Sequence, residues 1–314
     1  MSLPLKARLG RRIHALSYAG GISTRMTRRQ GGMRILMYHN IDGAELSAKP
    51  FRAGLSYLRR NFSVIPLGEL VRKQEQGKSV AGNEVALTFD DGYRNLATVV
   101  APILQEYKMP ATFFVCPGLI ENRQWIWTQD LRERLAIISP VQLDQFAAEQ
   151  GWPDWDVERL ILRMRKMPQQ ERLAQCERIR ERTKHFAPSR NSRNEFDLMT
   201  WEELSGLDPK WITIGSHSAT HPILSSMPLG EMAQEIAGSR EMLERRLGRP
   251  VESFCYPNGE YNEAVTEIVR RNYTAAVTTE WRAVGLKDDA HLLPRISAAG
   301  TPSLLAWRMF RPSA

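Results

Sequence analysis

The chain has 314 residues, of which 42% are hydrophobic and 25% are charged, an ordinary composition for a globular protein. No stretch approaches the roughly 18 consecutive apolar residues that a membrane-spanning helix needs. The net charge of +8 equals the surplus within residues 1–34, which contain eight basic residues and no acidic one. A nucleic-acid enzyme would more often carry its basic surface on the folded domain, so we predict no nucleic-acid partner.

The N-terminal arm, residues 1–32, combines this charge with apolar residues at helical spacing, including Ile13 and Leu16. Such a basic amphipathic segment can lie on an anionic membrane surface. The alternatives are a helix packed on the rest of the protein and a disordered basic arm. Its apolar stretch is too short, and too interrupted by charge, for a secretory signal. We therefore expect a cytoplasmic protein, at the inner face of the membrane if the arm contacts lipid.

After the arm, short apolar runs alternate with segments of helical periodicity. The predicted strands are 34–39, 63–65, 85–89, 111–116, 211–215, 253–256, 273–278 and 292–296. The predicted helices are 51–62, 67–74, 95–107, one that opens near 200, 229–247, 262–271 and one that opens at 302. Repeated strand–helix units predict a parallel sheet, either open or closed into a barrel. The stretch of about 118–199 contains no strand-like run, so we predict a helical insertion in a domain of residues 33–314.

Two adjacent carboxylates, Asp90 and Asp91, follow the predicted strand 85–89 directly. Parallel α/β folds place their active sites at the carboxyl ends of strands. Burying two neighbouring acids is unfavourable without a cation, which favours a metal here. The structural alternative is that Asp-Asp-Gly is simply a turn.

Two histidines, His217 and His221, follow the predicted strand 211–215. Residues at this spacing just beyond a strand can bind one ion through their imidazole nitrogens. The alternative is a pair of surface-loop histidines. One aspartate and two histidines together form a three-ligand set that leaves positions open, as catalytic divalent metals require. The second aspartate is then free to act as a base on a water molecule.

The runs Thr88-Phe89-Asp90-Asp91-Gly92 and His217-Ser218-Ala219-Thr220-His221 resemble the first two motifs of the polysaccharide deacetylases, carbohydrate esterase family four. The resemblance implies a distorted (β/α)7 barrel and a metal-dependent hydrolase. It also implies that Asp90 is the general base, and that Asp91, His217 and His221 bind the metal. The backbone N–H of Tyr256 would help to stabilise the oxyanion. Zinc is the default metal of this family, while Ni²⁺, Co²⁺ or Mn²⁺ would also fit.

Two positions depart from the family pattern. Cys255 stands where the third motif usually has an arginine, and Arg295 stands where the fifth motif usually has a catalytic histidine. Because an arginine cannot donate a proton at neutral pH, the general acid must lie elsewhere. We hypothesise that Arg295 supplies the guanidinium missing from position 255, and that His39 donates the proton.

An aromatic side chain in the insertion, Trp127, resembles part of a Trp–Asp cluster that relatives carry at this place. Aromatic faces suit sugar rings, so Trp127 is predicted to contact substrate; anchoring of the insertion is the alternative. The predicted function is removal of the N-acetyl group from an amino sugar in a glycan or glycolipid precursor, with release of acetate. The alternatives are removal of another acyl group, such as formyl, from a lipid-linked amino sugar, and an inactive carbohydrate-binding barrel.

Overall fold

The computed structural model describes residues 5–41, 47–77, 83–152 and 156–311, and side chains from residue 10 onward. Its one sheet has eight strands, and every pairing between them is parallel. The strands are β1 (Arg34–Tyr38), β2 (Ser63–Val64), β3 (Glu84–Phe89), β4 (Ala111–Val115), β5 (Ile212–Ser216), β6 (Ser253–Cys255), β7 (Ala275–Trp281) and β8 (Leu293–Ser297).

Seven of these strands form a closed ring in the order β1-β3-β4-β5-β6-β7-β8, because β1 pairs with both β3 and β8. Strand β2 pairs only with the first two residues of β3, and β4 pairs with the last two. The predicted distorted (β/α)7 barrel is confirmed. Strands of a parallel sheet are covered on both faces, so they are buried along their whole length. Every residue of β1 and of β4 is buried in this way.

Sixteen α-helices occur among the described residues. They are α1 (Leu5–Ala19), α2 (Ile22–Gln30), α3 (Ala48–Asn61), α4 (Leu67–Glu75), α5 (Ala101–Tyr107), α6 (Pro117–Asn122), α7 (Trp127–Ala136), α8 (Pro140–Glu149), α9 (Val157–Arg165), α10 (Gln169–Arg182), α11 (Arg190–Phe196), α12 (Trp201–Ser205), α13 (Leu229–Ala233), α14 (Ser239–Leu247), α15 (Glu263–Asn272) and α16 (Pro302–Phe310). A π-helical turn precedes α5 and another joins α13 to α14.

Helices α6 to α11 occupy the stretch between β4 and β5 that was predicted as an insertion, and its described part contains no strand. This segment has a hydrophobic cluster of its own, which includes Leu131, Leu160, Met164 and Ile179. Asp130 accepts hydrogen bonds from Arg134 of the same helix and from Arg180 of α10. The insertion is therefore held together by its own core and by an internal ion-pair network.

The described part of the N-terminal arm consists of α1 and α2, which contact each other and α16. The rings of His14 and Trp307 lie 4.8 Å apart, and Thr24 Oγ1 lies 3.0 Å from the Tyr57 hydroxyl of α3. The described part of the arm is therefore helical and packed on the rest of the protein, which was one of the three alternatives predicted for it. Residues 1–4 of the arm lie outside the described residues. No helix of the described chain is long and apolar enough to cross a membrane.

Candidate active site

Asp90 and Asp91 follow the last residue of β3 and are both buried. The chain turns sharply there, because Asp91 has φ 74° and Gly92 has φ 75°. A side chain at position 92 would place its Cβ 3.1 Å from the Cβ of Val115 on β4. Glycine therefore meets two requirements at once, a left-handed backbone and a close approach to the neighbouring strand.

His217 and His221 follow β5 and are also buried. The loop between them has left-handed backbone at Ser218 (φ 61°) and at His221 itself (φ 58°). Nδ1 of His217 lies 2.7 Å from the carbonyl oxygen of Cys255. A carbonyl can only accept, so Nδ1 carries the proton and donates, which leaves the Nε2 lone pair free to bind a metal.

The two imidazoles converge on Asp91. His217 Nε2 lies 3.5 Å and His221 Nε2 lies 3.6 Å from Asp91 Oδ1. Ligands bound about 2.1 Å from a tetrahedral ion are separated by roughly 3.4 Å, so these spacings fit a shared divalent metal. The donor set of one carboxylate oxygen and two neutral imidazole nitrogens is also one that zinc prefers. Asp91, His217 and His221 thus form a group that could hold a metal ion.

Asp90 faces a different partner. The guanidinium of Arg295 on β8 donates two hydrogen bonds to it, from Nη1 to Oδ1 and from Nη2 to Oδ2, each at 2.7 Å. Arg295 Nη2 also lies 3.2 Å from the sulfur of Cys255. The pairing that we hypothesised from the two departures in the motifs is therefore present in the structure.

Burial by itself would raise the pKa of Asp90, but the charge and hydrogen bonds of Arg295 hold that pKa below its usual range. The pKa of Asp91 is also lowered, because its contacts with His217 and the neighbouring histidines outweigh the effect of burial. Both carboxylates are consequently ionised at neutral pH, as a base and a metal ligand must be.

His39 directly follows β1 and lines the same cleft as the two aspartates. Its side chain makes no hydrogen bond within the part of the chain that the structure describes. Tyr256 also lines the cleft, but its backbone N–H donates a 3.2 Å hydrogen bond to the Val277 carbonyl of β7. The predicted oxyanion role of that N–H thus requires its release from the sheet.

Comparison with known proteins decides the family. The family model described as polysaccharide deacetylase matches residues 77–277, well over half of the chain. The chain belongs to the polysaccharide deacetylase family. It is accordingly a hydrolase that acts on carbon–nitrogen amide bonds.

The relatives of this deacetylase are distant in sequence. It is 20% identical over 275 residues to the protein YxkH of Bacillus subtilis (strain 168), with 86% of this chain and 72% of that protein covered. Over only 90 residues it is 28% identical to the poly-beta-1,6-N-acetyl-D-glucosamine N-deacetylase of Escherichia coli (strain K12). That match covers 26% of this chain and 13% of the other.

Two solved structures share the fold of the deacetylase. The Streptococcus pyogenes deacetylase PplD, in complex with acetate, has a TM-score of 0.60 at 18% identity, with 90% of this chain and 98% of that one covered. IcaB from Ammonifex degensii has a TM-score of 0.58 at 18% identity, with 89% and 97% covered. At this identity both likenesses concern the fold alone.

The insertion of the deacetylase forms one wall of the candidate cleft, whose volume is about 580 Å³. Arg132 of α7 lines the cleft and is paired through two nitrogens with Glu158 of α9, at 2.7 and 2.8 Å. Leu162 of α9 also lines it and is 53% exposed. Sequence reasoning missed these residues, since helical periodicity does not reveal which insertion face turns toward the barrel.

The predicted substrate contact of Trp127 is not supported by the structure. Its neighbours Ile126 and Thr128 line the cleft, but Trp127 itself packs against the hydrophobic cluster of the insertion. The guanidinium carbon of Arg172 lies 5.9 Å from the centre of its ring. Trp127, the first residue of α7, thus lies against the insertion's own cluster, as the anchoring alternative predicts, and its contact with substrate stays a prediction.

Asn258 is a cleft residue that sequence reasoning did not single out. It has left-handed backbone (φ 57°), and its side-chain nitrogen is buried without a hydrogen-bond partner among the described residues. Pro-Asn-Gly is a turn sequence, and this one begins one residue after the end of the barrel strand β6. Its position after a strand could have identified Asn258 from the sequence, because loops at the carboxyl ends of barrel strands carry functional groups.

Proposed function

We propose that this deacetylase hydrolyses the N-acetyl group of an amino sugar in a glycan or glycolipid precursor, in a metal-dependent reaction that releases acetate. The observation that carries the proposal is the separation of two buried carboxylates, with Asp91 facing two imidazoles and Asp90 held by Arg295. Adjacent residues thereby serve two roles, metal ligand and base. The short match to a poly-beta-1,6-N-acetyl-D-glucosamine N-deacetylase supports an N-acetylated glucosamine polymer as the substrate class.

Asp91, His217 and His221 would hold the ion, with zinc as the first candidate and Ni²⁺, Co²⁺ or Mn²⁺ as others. A divalent ion supplies Lewis acidity, which polarises the acyl oxygen and makes a water molecule more acidic. Asp90 takes a proton from the attacking water, and the water oxygen forms a bond to the acyl carbon. The carbon–nitrogen bond then breaks, the amine nitrogen receives a proton from His39, and acetate and a free amino sugar leave.

Arg295 acts through Asp90 in this proposal. Its two hydrogen bonds fix the orientation of the carboxylate and keep it ionised in a buried site. Asn258 is a candidate for a donor to the substrate, because its buried side-chain nitrogen lines the cleft without a partner among the described residues. A donor of this kind stabilises a developing oxyanion without needing the backbone N–H of Tyr256.

The proposal is tested by measuring bound metal and acetate release on the purified full-length chain. Oligomers of β-1,6-linked N-acetylglucosamine are the first substrate, and an N-formyl analogue distinguishes deacetylation from deformylation. Removal of the metal with a chelator should abolish turnover, and addition of Zn²⁺ should restore it.

Two substitutions separate the roles of the carboxylates. Asp91→Asn should lose the metal, whereas Asp90→Asn should retain it and still lose turnover by about 10²-fold or more. A chain that binds glycan with neither metal nor acetate release would instead be an inactive carbohydrate-binding barrel.

A further inference from the structure

A second cavity lies at the end of the barrel opposite the candidate active site. Its volume is about 690 Å³, and it lies between the α1–α2 pair, the last turn of α3 and Asn83. Asn83 directly precedes β3, and α3 leads into β2, so this is the end at which the strands begin. Asp90 and His217, in contrast, follow the ends of their strands.

The cavity is strongly positive. Among the described residues that line it are four arginines and no acidic residue. The arginines are Arg25, Arg28 and Arg29 of α2 and Arg60 of α3. None of the four forms an ion pair with a described carboxylate, whereas arginines elsewhere on the surface, such as Arg246 and Arg282, do. A cavity lined by unpaired positive charges attracts anions, so this cavity is a candidate anion-binding site.

Neutral donors accompany the guanidinium groups. The Tyr57 hydroxyl lies 3.0 Å from Thr24 Oγ1, and Arg28 Nε donates to Asn83 Oδ1 at 3.1 Å. Burial raises the pKa of Tyr57 to about 12, so its hydroxyl remains protonated at neutral pH. Guanidinium groups beside hydroxyl and amide donors form the environment that binds phosphate oxygens.

Apolar side chains are also exposed on α1 and α2, the two helices that line the cavity. On α2, Ile22 is 56% and Met26 is 37% exposed, and helical spacing places Ile22 one turn from Arg25 and Met26 one turn from Arg29. On the adjoining α1, Ile13 is 45% and Leu16 is 73% exposed. A free phosphate compound would satisfy the arginines but leave these four apolar side chains in water. A phospholipid surface would satisfy both.

We propose that the α1–α2 face docks on an anionic phospholipid surface. The cavity receives a lipid phosphate, and the four exposed apolar side chains enter the boundary between headgroups and acyl chains. The arginines of the cavity, together with the exposed Arg11 and Arg12 of α1, supply the attraction, which reaches about a Debye length from the surface. This inference does not depend on the proposed function, since it uses none of the cleft residues.

Sedimentation with vesicles tests the proposal on the full-length chain. Vesicles of phosphatidylglycerol and phosphatidylcholine should bind the protein, whereas phosphatidylcholine alone should not. The variant Arg25→Glu/Arg29→Glu should bind about tenfold less, or weaker still. Lys184→Glu/Arg245→Glu is the control with the same change of charge, because both residues are exposed and lie outside the cavity; it should bind like the wild type.

A third variant, Leu16→Ser/Ile22→Ser, shows whether the ligand of the cavity is a phospholipid or a soluble phosphate compound. It should lose vesicle binding while its affinity for inorganic pyrophosphate stays unchanged. Thermal unfolding of each variant shows whether it is folded. Equal binding of all variants to the vesicles would overturn the proposal. Undiminished vesicle binding by the Leu16→Ser/Ile22→Ser variant, or a stronger affinity for single-stranded RNA than for vesicles, would also overturn it.

Discussion

Asp90 is an ionised carboxylate that is only 2% exposed, and its partner Arg295 is fully buried. A buried ion pair is weak evidence for stability, because the loss of hydration of both charges offsets most of their attraction. Two apolar residues in their place would fold at least as well. The pair is therefore better explained by chemistry: a base must be charged, and a water-excluding site can keep it charged only with a cation beside it.

Replacement of Arg295 by methionine is expected to destabilise the protein and to abolish turnover. The substitution leaves a buried carboxylate without its partner, which costs about 3–5 kcal/mol when the other charge remains. Urea unfolding and acetate release measure the two effects.

Arg34 provides a matched control for Arg295. It is also buried, at the other end of the barrel, but its described acceptors are all backbone carbonyls, including those of Met309 and Thr27. Arg34→Met should therefore lower stability and leave the turnover of the remaining folded enzyme unchanged. If Arg295→Met kept normal turnover per folded molecule, the proposed role of Arg295 would be wrong.

His39 is expected to matter for turnover and not for the metal. His39→Gln should reduce kcat by about 10²- to 10⁴-fold, the usual contribution of a general acid, while the content of bound metal measured by atomic absorption stays unchanged. His291→Gln is the control, because His291 lies just before β8 and its Nε2 is engaged with the Tyr273 carbonyl. Loss of the bound metal on substitution of His39 would indicate a ligand instead of an acid.

At the scale of the element, the strained backbone conformations of the site lie in the loops that follow the strands. Among the described non-glycine residues, six have positive φ. Four of them line or adjoin the cleft, namely Asp91, Ser218, His221 and Asn258. Such conformations cost energy and persist only where the surrounding structure imposes them. The barrel imposes them here, since each follows a strand that its neighbours hold in register.

Gly92→Ala tests this at one position. The substitution forces alanine into φ 75° and pushes its Cβ toward Val115, so we expect a loss of about 2 kcal/mol or more and a weaker affinity for zinc. Gly151→Ala is the matched control, because Gly151 has φ 68° but open space around its Cβ; it should cost about 1 kcal/mol. Equal effects of the two substitutions on zinc affinity would contradict the argument.

The strands were predictable from the sequence, and the insertion was predictable only in outline. Parallel strands buried on both faces are short apolar runs, and β1 and β3 have that signature. Because those runs also fix where each strand ends, the clustering of Asp90 with His217 followed from the topology. The orientation of the Trp127 side chain could not be predicted in this way, because it depends on how α7 packs against α10. Periodicity within one helix does not contain that information.

Trp127→Ala is expected to weaken the insertion without a direct effect on substrate binding. Truncation of a fully buried tryptophan costs about 3 kcal/mol or more, and the partly buried Trp127 should cost less; limited proteolysis and thermal unfolding would detect the loss. Leu162→Ala, on the exposed cleft wall, should instead raise KM and leave stability nearly unchanged. If Trp127→Ala raised KM in a fully folded protein, Trp127 would contact substrate after all.

At the scale of the whole molecule, the two cavities lie at opposite ends of one barrel. Strands of five to seven residues such as β1 and β7 separate them, a span of about 20 Å. A molecule docked through α1 and α2 therefore holds its catalytic cleft away from the lipid. That orientation favours a glycan in the aqueous phase over a sugar whose lipid anchor lies in the same membrane.

This orientation leads to a prediction about vesicle-bound enzyme. Turnover of a soluble N-acetylated oligosaccharide should not change on binding to anionic vesicles, because about 20 Å exceeds the Debye length of about 8 Å, beyond which the surface potential is screened. A lipid-linked amino sugar in the same vesicles should be hydrolysed no faster than one in separate vesicles. The measurement is acetate release, with the lipid-linked sugar either in the vesicles that bind the enzyme or in separate vesicles. Faster hydrolysis of the sugar in the enzyme's own membrane would mean that the cleft faces the lipid, and would favour a lipid-linked precursor as the substrate.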